Sequence, residues 1–313
     1  MKKYKKIISL CICAALVLGV TACDSRQENK ETSKEVSKEV SKEASKEVSK
    51  ETSKEVSKDT SNEGIRKETT YSNMASKDSA DEVKALLSAQ LDKDSVEDFF
   101  KRVNDYNEIA GATGLTGDFK EFTTPQYDMD KISTLWREKK GDFIGTNCRI
   151  NSYTLLKKNI EIPQIEADDK LLFLDNDAID KGKLFNDEEK KKFQILFSRV
   201  KTEATQDVKI HAKNMEKYFE NIKFDENARM LSVVLHDNLD GEYLFVGHVG
   251  VMVPDKDGFL FVEKLTFEEP YQAIKFASKE ECYKYLQGKY ADYTGEGLAK
   301  PFVMDNNKMV AVK

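Results

Sequence analysis

Tyr243-Leu244-Phe245-Val246-Gly247-His248-Val249-Gly250-Val251-Met252-Val253, followed after Asp257-Gly258 by Phe259-Leu260-Phe261-Val262-Glu263, is the stretch on which the fold turns. Both segments are rich in Val, Leu and Phe, the residues that suit a pleated, half-buried surface. Asp-Gly between two such runs is a strong hairpin signal, because the two positive-φ positions of a tight turn suit these residues. A second pair, Asp240-Gly241, separates this stretch from Leu231 to Leu235. Leu231–Leu235, Tyr243–Val253 and Phe259–Phe267 therefore read as three antiparallel strands in meander. Ala273 to Phe276 and Phe302 to Met304 read as edge strands added to it, with a helix from Lys279 to Lys289 between them.

Upstream the period changes to that of helices. Val83, Leu86, Leu87 and Leu91 mark a helix over Asp78–Leu91. A second, capped by Ser95 and stopped by Gly111, carries Val96, Phe99, Phe100 and Val103. A Gly- and Thr-rich loop runs from Gly111 to Gln126, and Asp128 to Lys139 is a third helix. Leu171 to Leu174 reads as a short strand. Asn186 caps a helix with Phe193, Leu196 and Phe197, and Asp207 to Ile222 is another. Helices first and a sheet later give the α+β class, with N-terminal helices packed on a C-terminal antiparallel sheet. Residues 69–313 are long enough for one such domain with a sizeable core.

Gly145-Thr146-Asn147-Cys148-Arg149-Ile150 is a turn running into a helix, with Ile150, Tyr153 and Leu156 as its apolar stripe. Thr146 or Asn147 supplies the cap. Cys148 then lies in the first turn, where partial positive charge favours a thiolate. The plain alternative is a small core hydrophobe. Three histidines exist in the chain. His211, among lysines on a helix, reads as solvated. His248 stands in mid-strand between two glycines, an arrangement used where something must approach closely. Glu263 falls in an apolar run on the next strand and requires a partner. Together Cys148, His248 and Glu263 have the chemistry of nucleophile, base and orienting carboxylate, with the Cys148 amide as a donor to an oxyanion. His236 and Asn147 are the reserve residues. No set of side chains has metal-ligand spacing, and no cofactor is expected. Asp255-Lys256-Asp257-Gly258 faintly resembles a calcium loop but lacks the remaining ligands, and a hairpin turn explains it. Cys148 and Cys282 could form a disulfide in an oxidising compartment, although Cys282 reads as a half-buried thiol on a helix.

Gly247-His248-Val249-Gly250-Val251 followed by Phe261-Val262-Glu263 resembles the histidine strands of NlpC-type cell-wall hydrolases. That resemblance implies a papain-like fold and carries over the roles of Cys148, His248 and Glu263. Asn147-Cys148-Arg149-Ile150 departs from the Asp-Cys-Ser-Gly usual there, so the substrate does not carry over. Tyr71-Ser72-Asn73, Asn104-Asp105-Tyr106-Asn107, Asn147-Cys148-Arg149-Ile150-Asn151, Gly247-His248-Val249-Gly250-Val251 and Glu268-Glu269-Pro270-Tyr271 together resemble domain-of-unknown-function family 4300, whose members are lipoproteins of Gram-positive bacteria. That family implies no activity.

The chain opens with Lys2, Lys3, Lys5 and Lys6 and an apolar run from Ile7 to Val20 that is short for a membrane span. Val20-Thr21-Ala22-Cys23 resembles a lipobox, so residues 1–22 are expected to be a lipoprotein signal peptide and Cys23 the lipidated residue. A plain signal peptide cut nearby is the alternative. From Lys30 to Ser61 the unit Ser-Lys-Glu-Val repeats, with Thr and Ala variants. Its balanced charge and lack of aromatics give it no face to bury, so residues 23–68 read as a solvated stalk, partly helical or disordered. A coiled-coil partner is the other reading of the repeat. The formal charge of −6 becomes −10 once the four lysines of the leader are removed. An acidic chain gives no support to nucleic-acid binding. The expected setting is the extracellular face of the cell membrane, held through lipid on Cys23, with peptidoglycan or a surface peptide or protein as partner. Two functions stand at this point: a cysteine peptidase, amidase or acyl transferase, and a non-catalytic surface-binding lipoprotein.

Overall fold

The computed structural model describes residues 68–311. The leader, Cys23 and the repeat lie outside them. The described residues are α+β, with helices on an antiparallel sheet. In chain order the strands are β1 (Thr70–Ser72), β2 (Lys120–Glu121), β3 (Val200–Lys201), β4 (Arg229–Asp237), β5 (Tyr243–Asp255), β6 (Gly258–Lys264), β7 (Tyr271–Phe276), β8 (Phe302–Asp305) and β9 (Lys308–Met309). The helices are α1 (Lys77–Ser88), α2 (Lys93–Ala110), α3 (Met129–Lys140), α4 (Cys148–Leu156), α5 (Phe173–Gly182), α6 (Asp187–Leu196), α7 (Val208–Phe219) and α8 (Lys279–Lys289).

The strand order is β2-β1-β7-β6-β5-β4-β8-β9, with β3 added to the start of β5. The meander β4-β5-β6 lies at its centre, and its apolar runs are buried on both faces. One face packs against Val83, Phe99, Val103, Ile150 and Phe193 from α1, α2, α4 and α6. The other packs Leu231, Val233, Met252, Phe261 and Ile274 against Cys282, Tyr283 and Leu286 of α8. The sheet is thus the middle layer of three.

Several sequence expectations are corrected. β7 and β8 are not edge strands: β7 lies between β1 and β6, and β8 between β4 and β9. β1 comes from the N-terminal half and pairs with β7, Tyr71 opposite Ile274, a contact too distant in sequence to leave a local pattern. Leu171–Leu174 is not a strand. It is a 3-10 turn over Lys170–Leu172 running into α5, and a short apolar run does not distinguish a strand from a buried helical turn. α2 is capped by Asp92, which accepts from the Ser95 amide, so Ser95 is already inside the helix. His211 is fully buried rather than solvated. It stands four and eight residues before Met215 and Phe219, on the inner stripe of α7, although Lys209 and Lys213 lie two residues to either side of it. Asp255 and Gly258 pair across the β5–β6 turn, as a hairpin requires. Cys148 and Cys282 are free thiols, and Cys282 is buried completely.

Candidate active site

The register of β4 on β5 shifts between Val233 and Val234: Val233 faces His248 and Val234 faces Val246, which leaves Gly247 as the extra residue of a bulge. A Cβ at Gly247 would lie 2.3 Å from the Leu235 side chain, so the bulge needs glycine. The bulge also exchanges the faces of β5. Before it Leu244 and Val246 meet the large helical layer; after it Val249, Val251 and Val253 do. His248 is thereby turned toward the layer of α8, where its ring stacks on Tyr290 at 5.4 Å. Gly250 stands directly opposite Glu263 on β6. His248, two residues earlier on the same face, is thus diagonal to that carboxylate, and its Nε2 hydrogen-bonds Glu263 Oε2.

Glu263 is itself held. Tyr285 on α8 donates its hydroxyl proton to Oε1. Lys289, one turn further, places Nζ 3.4 Å and 3.5 Å from the two carboxylate oxygens and 3.0 Å from the Tyr285 hydroxyl. Burial opposes ionisation of Glu263, but the charges of Lys289 and His248 outweigh it and hold the carboxyl down at about 2. Burial likewise opposes the charged imidazole, and the Glu263 carboxylate with the Cys148 thiol more than offsets it, so His248 holds its proton more firmly than an ordinary histidine.

Cys148 arrives from the other layer. Asn147 caps α4 by accepting from the Ile150 amide at 3.0 Å, which puts Cys148 at the first helical position. Gly145, at φ +92°, makes the turn before it and lies against the Trp136 ring. Every residue of α4 except Arg149 is buried, so the helix is a central one rather than one with a single apolar stripe. Ser152 donates to the Val249 carbonyl and Arg149 to the Val246 carbonyl, which clasps α4 to β5 on either side of the bulge. With Nε2 of His248 taken by Glu263, Nδ1 is the nitrogen left to the Cys148 thiol. Nδ1 is buried and makes no hydrogen bond among the described residues. Burial pushes the thiol up, and the neighbouring His248 imidazole with the Arg149 guanidinium pulls it back below its ordinary value. Cys282, buried near Glu263 and Asp305, is pushed far up instead. The structure thus brings Cys148, His248 and Glu263 together. Asn147 stays outside this group, its amide nitrogen donating to Asp175. His236 does not reach it either. Its Nε2 bonds Glu242 at 2.7 Å, its Nδ1 accepts from the Ala299 amide, and its ring lies 4.4 Å from that of His211.

A family model described as a domain of unknown function (DUF4300) matches residues 70–310, more than half of the chain. The chain belongs to this family. No curated protein and no solved structure matches it.

Four residues that hold this arrangement escape a reading of the sequence. Asp175 is completely buried and binds Arg149 through both of its oxygens, at 2.9 Å and 2.7 Å, while accepting from Asn147. It fixes the start of α4, and it comes directly after the Leu171–Leu174 run that reads as a strand. Tyr285 and Lys289 are four residues apart on α8, a spacing that looks like an ordinary solvated face. Lys264, next to Glu263 but on the opposite face, is 1% exposed. Its ammonium meets the carbonyls of Thr266, Phe267 and Glu269 and lies 4.2 Å from the centre of the Tyr106 ring. Burial lowers it to about 7, while its three carbonyl acceptors favour the charged form.

Proposed function

We propose that the protein is a surface lipoprotein with a papain-like Cys-His-Glu site that cleaves or transfers acyl groups at peptide or amide bonds of the cell envelope. The observation that carries this reading is the bond of Glu263 to His248 Nε2 in the apolar sheet, with Cys148 at the start of α4 close enough to act on the same imidazole. In the proposed reaction the Cys148 thiolate attacks an acyl carbon and a carbon–sulfur bond forms. The carbonyl electron pair moves to oxygen, which the Cys148 amide at the start of α4 is placed to stabilise. Collapse expels the amine, which leaves with the proton of His248. Water then gives its proton to His248, attacks the thioester and frees the thiolate. Glu263 keeps the ring in one tautomer and stabilises its charged form. An acyl transferase would use an amine in place of water.

Iodoacetamide at about pH 6 tests the nucleophile, because there an ordinary thiol of pKa about 8.5 is almost wholly protonated. Cys148 should be alkylated and Cys282 should not, as read by peptide mass. Equal labelling of both, or none at Cys148, would favour the second reading. That reading is a non-catalytic binding lipoprotein, and one observation speaks for it: Cys148 is 5% and His248 1% exposed, so a substrate must displace what covers them.

The lipobox-like Val20-Thr21-Ala22-Cys23 supports the anchor. The full chain should partition into detergent, and Cys23→Ala should move it to the aqueous phase or leave it uncleaved. Correct cleavage with unchanged membrane retention in that variant would remove the anchor from the proposal.

A further inference from the structure

Tyr285 and Lys289 share a face of α8, and Tyr290 is the residue that caps the helix. The first two reach Glu263. Tyr290 reaches the other half of the pair. Its ring is stacked on that of His248, with centres 5.4 Å apart and planes inclined by 28°. His248 and Glu263 are 1% and 2% exposed, whereas Tyr290 is half-buried. A part-exposed ring laid on a buried one stands between it and water. The chain that follows is tied down beside β4. The Tyr293 hydroxyl donates to the His236 carbonyl at 3.1 Å, and Asn238 Nδ2 donates to the Glu296 carbonyl at 3.1 Å. Tyr290 is thus fixed from both sides, by the helix before it and by this segment after it.

Such a cover has an electrostatic consequence. Around the imidazole stand Glu263 on β6, Cys148 on α4 with Arg149 beside it, and Lys289 on α8. Tyr285, pushed far up by burial and by Glu263, keeps its proton and acts as a neutral donor. Attraction between a carboxylate and an imidazolium weakens when water enters, because the local dielectric rises. The face of an aromatic ring also attracts a cation held within about 6 Å of its centre. Both effects act against the desolvation of the ring. In the folded protein desolvation is the loser, since His248 is raised above 6.5. Removing the cover would weaken all of these together and bring the imidazole back toward 6.5.

On the reading of Cys148, His248 and Glu263 as one catalytic set, we propose that Tyr290 is a positioning residue for it: its ring seals the His248–Glu263 pair from water and lays its π face on the imidazolium, which keeps the pair charged beside Cys148.

NMR titration of the histidine ring signals of the full chain tests this, the His248 signal being the one that His248→Gln lacks. Tyr290→Ala should lower the His248 midpoint by about one pH unit. It should also slow alkylation of Cys148 by iodoacetamide at about pH 6 by about tenfold, because the thiolate loses imidazolium beside it. Tyr290→Phe keeps the ring and should match the parent in both measurements. In the parent the midpoint should move by less than about 0.3 pH unit between about 0.05 M and about 1 M salt, because a sealed pair is little screened. An unchanged midpoint in Tyr290→Ala overturns the proposal, as does a Tyr290→Phe chain that behaves like Tyr290→Ala. A larger salt shift in the parent overturns it too. That measurement uses the unaltered chain and decides the matter even where Tyr290→Ala fails to fold. If Cys148 resists alkylation in the parent while Tyr290→Ala lowers the His248 midpoint, the catalytic reading fails and the seal on the pair stands.

Discussion

Acetyl transfer from p-nitrophenyl acetate to Cys148 should fall by about 10²–10⁴ when His248 is replaced by Ala, the span over which a positioned acid–base group acts. Two effects combine in this loss. The imidazole no longer takes or returns the proton. The thiol also loses the chief neighbour that opposes its burial, which leaves the Arg149 charge against desolvation, so its proton affinity rises. The thiolate fraction falls tenfold for each unit of that rise, and the higher nucleophilicity of a more basic thiolate recovers about half of it on a logarithmic scale. The expected readout is the mass of one acetyl group on the Cys148 peptide, slow in the variant and absent from Cys282. His236→Gln is the control, because that ring belongs to the Glu242 and Ala299 network. If the His248→Ala protein is folded and acetylates as fast as the parent, His248 is not the base and the catalytic proposal fails.

The meander was legible because its signals are local. Asp-Gly at two positions and runs of Val, Leu and Phe define β4, β5 and β6 without reference to the rest of the chain. What joins the sheet at its sides was not, since Tyr71 opposite Ile274 pairs residues far apart in sequence and leaves no period behind. The burial of His211 was hidden for a related reason: Lys209 and Lys213 stand two residues to either side of it, but its face is set by Met215 and Phe219 one and two turns on. In the candidate site, Cys148, His248 and Glu263 were readable from residue type in an unusual setting, a thiol at a helix start and two ionisable groups in apolar strands. The groups that hold them were not. Asp175 follows a run that mimics a strand, and Lys289 is one more lysine on a charged helix. Whether a charged helical residue faces water or a buried carboxylate depends on packing between layers. Gly247 and Gly250 were read as places of close approach. The structure puts Leu235 against the first and the Phe261 ring against the second, and the bulge at Gly247 is what turns His248 toward Glu263.

Glu263→Gln should make the protein less stable by roughly 3 kcal/mol at about pH 6, and the deficit should shrink as the solution is acidified. The folded protein holds Glu263 at about 2, below the ordinary 4.5. A carboxyl depressed in this way contributes stability that is fully present above its unfolded value. That contribution is lost as the pH falls from 4.5 toward about 2, because the unfolded chain takes up the proton first. His248 has the opposite sign. Its folded value is raised, so its contribution is complete below 6.5 and fades as the pH rises through the folded value. The two overlap between 4.5 and 6.5, where the ion pair is formed and the parent has its largest advantage. Desolvation of the pair limits that advantage, but removing one partner leaves the other buried and unpaired, which is the costly case. Urea unfolding of the parent and the variant at about pH 6 and about pH 3 measures the difference. A deficit that is the same at both values would mean that Glu263 titrates alike in the folded and unfolded chain, so that no ion pair with His248 favours its charged form. A deficit that shrinks with acid would mean that the ionised Glu263 carboxylate supplies the lost stability.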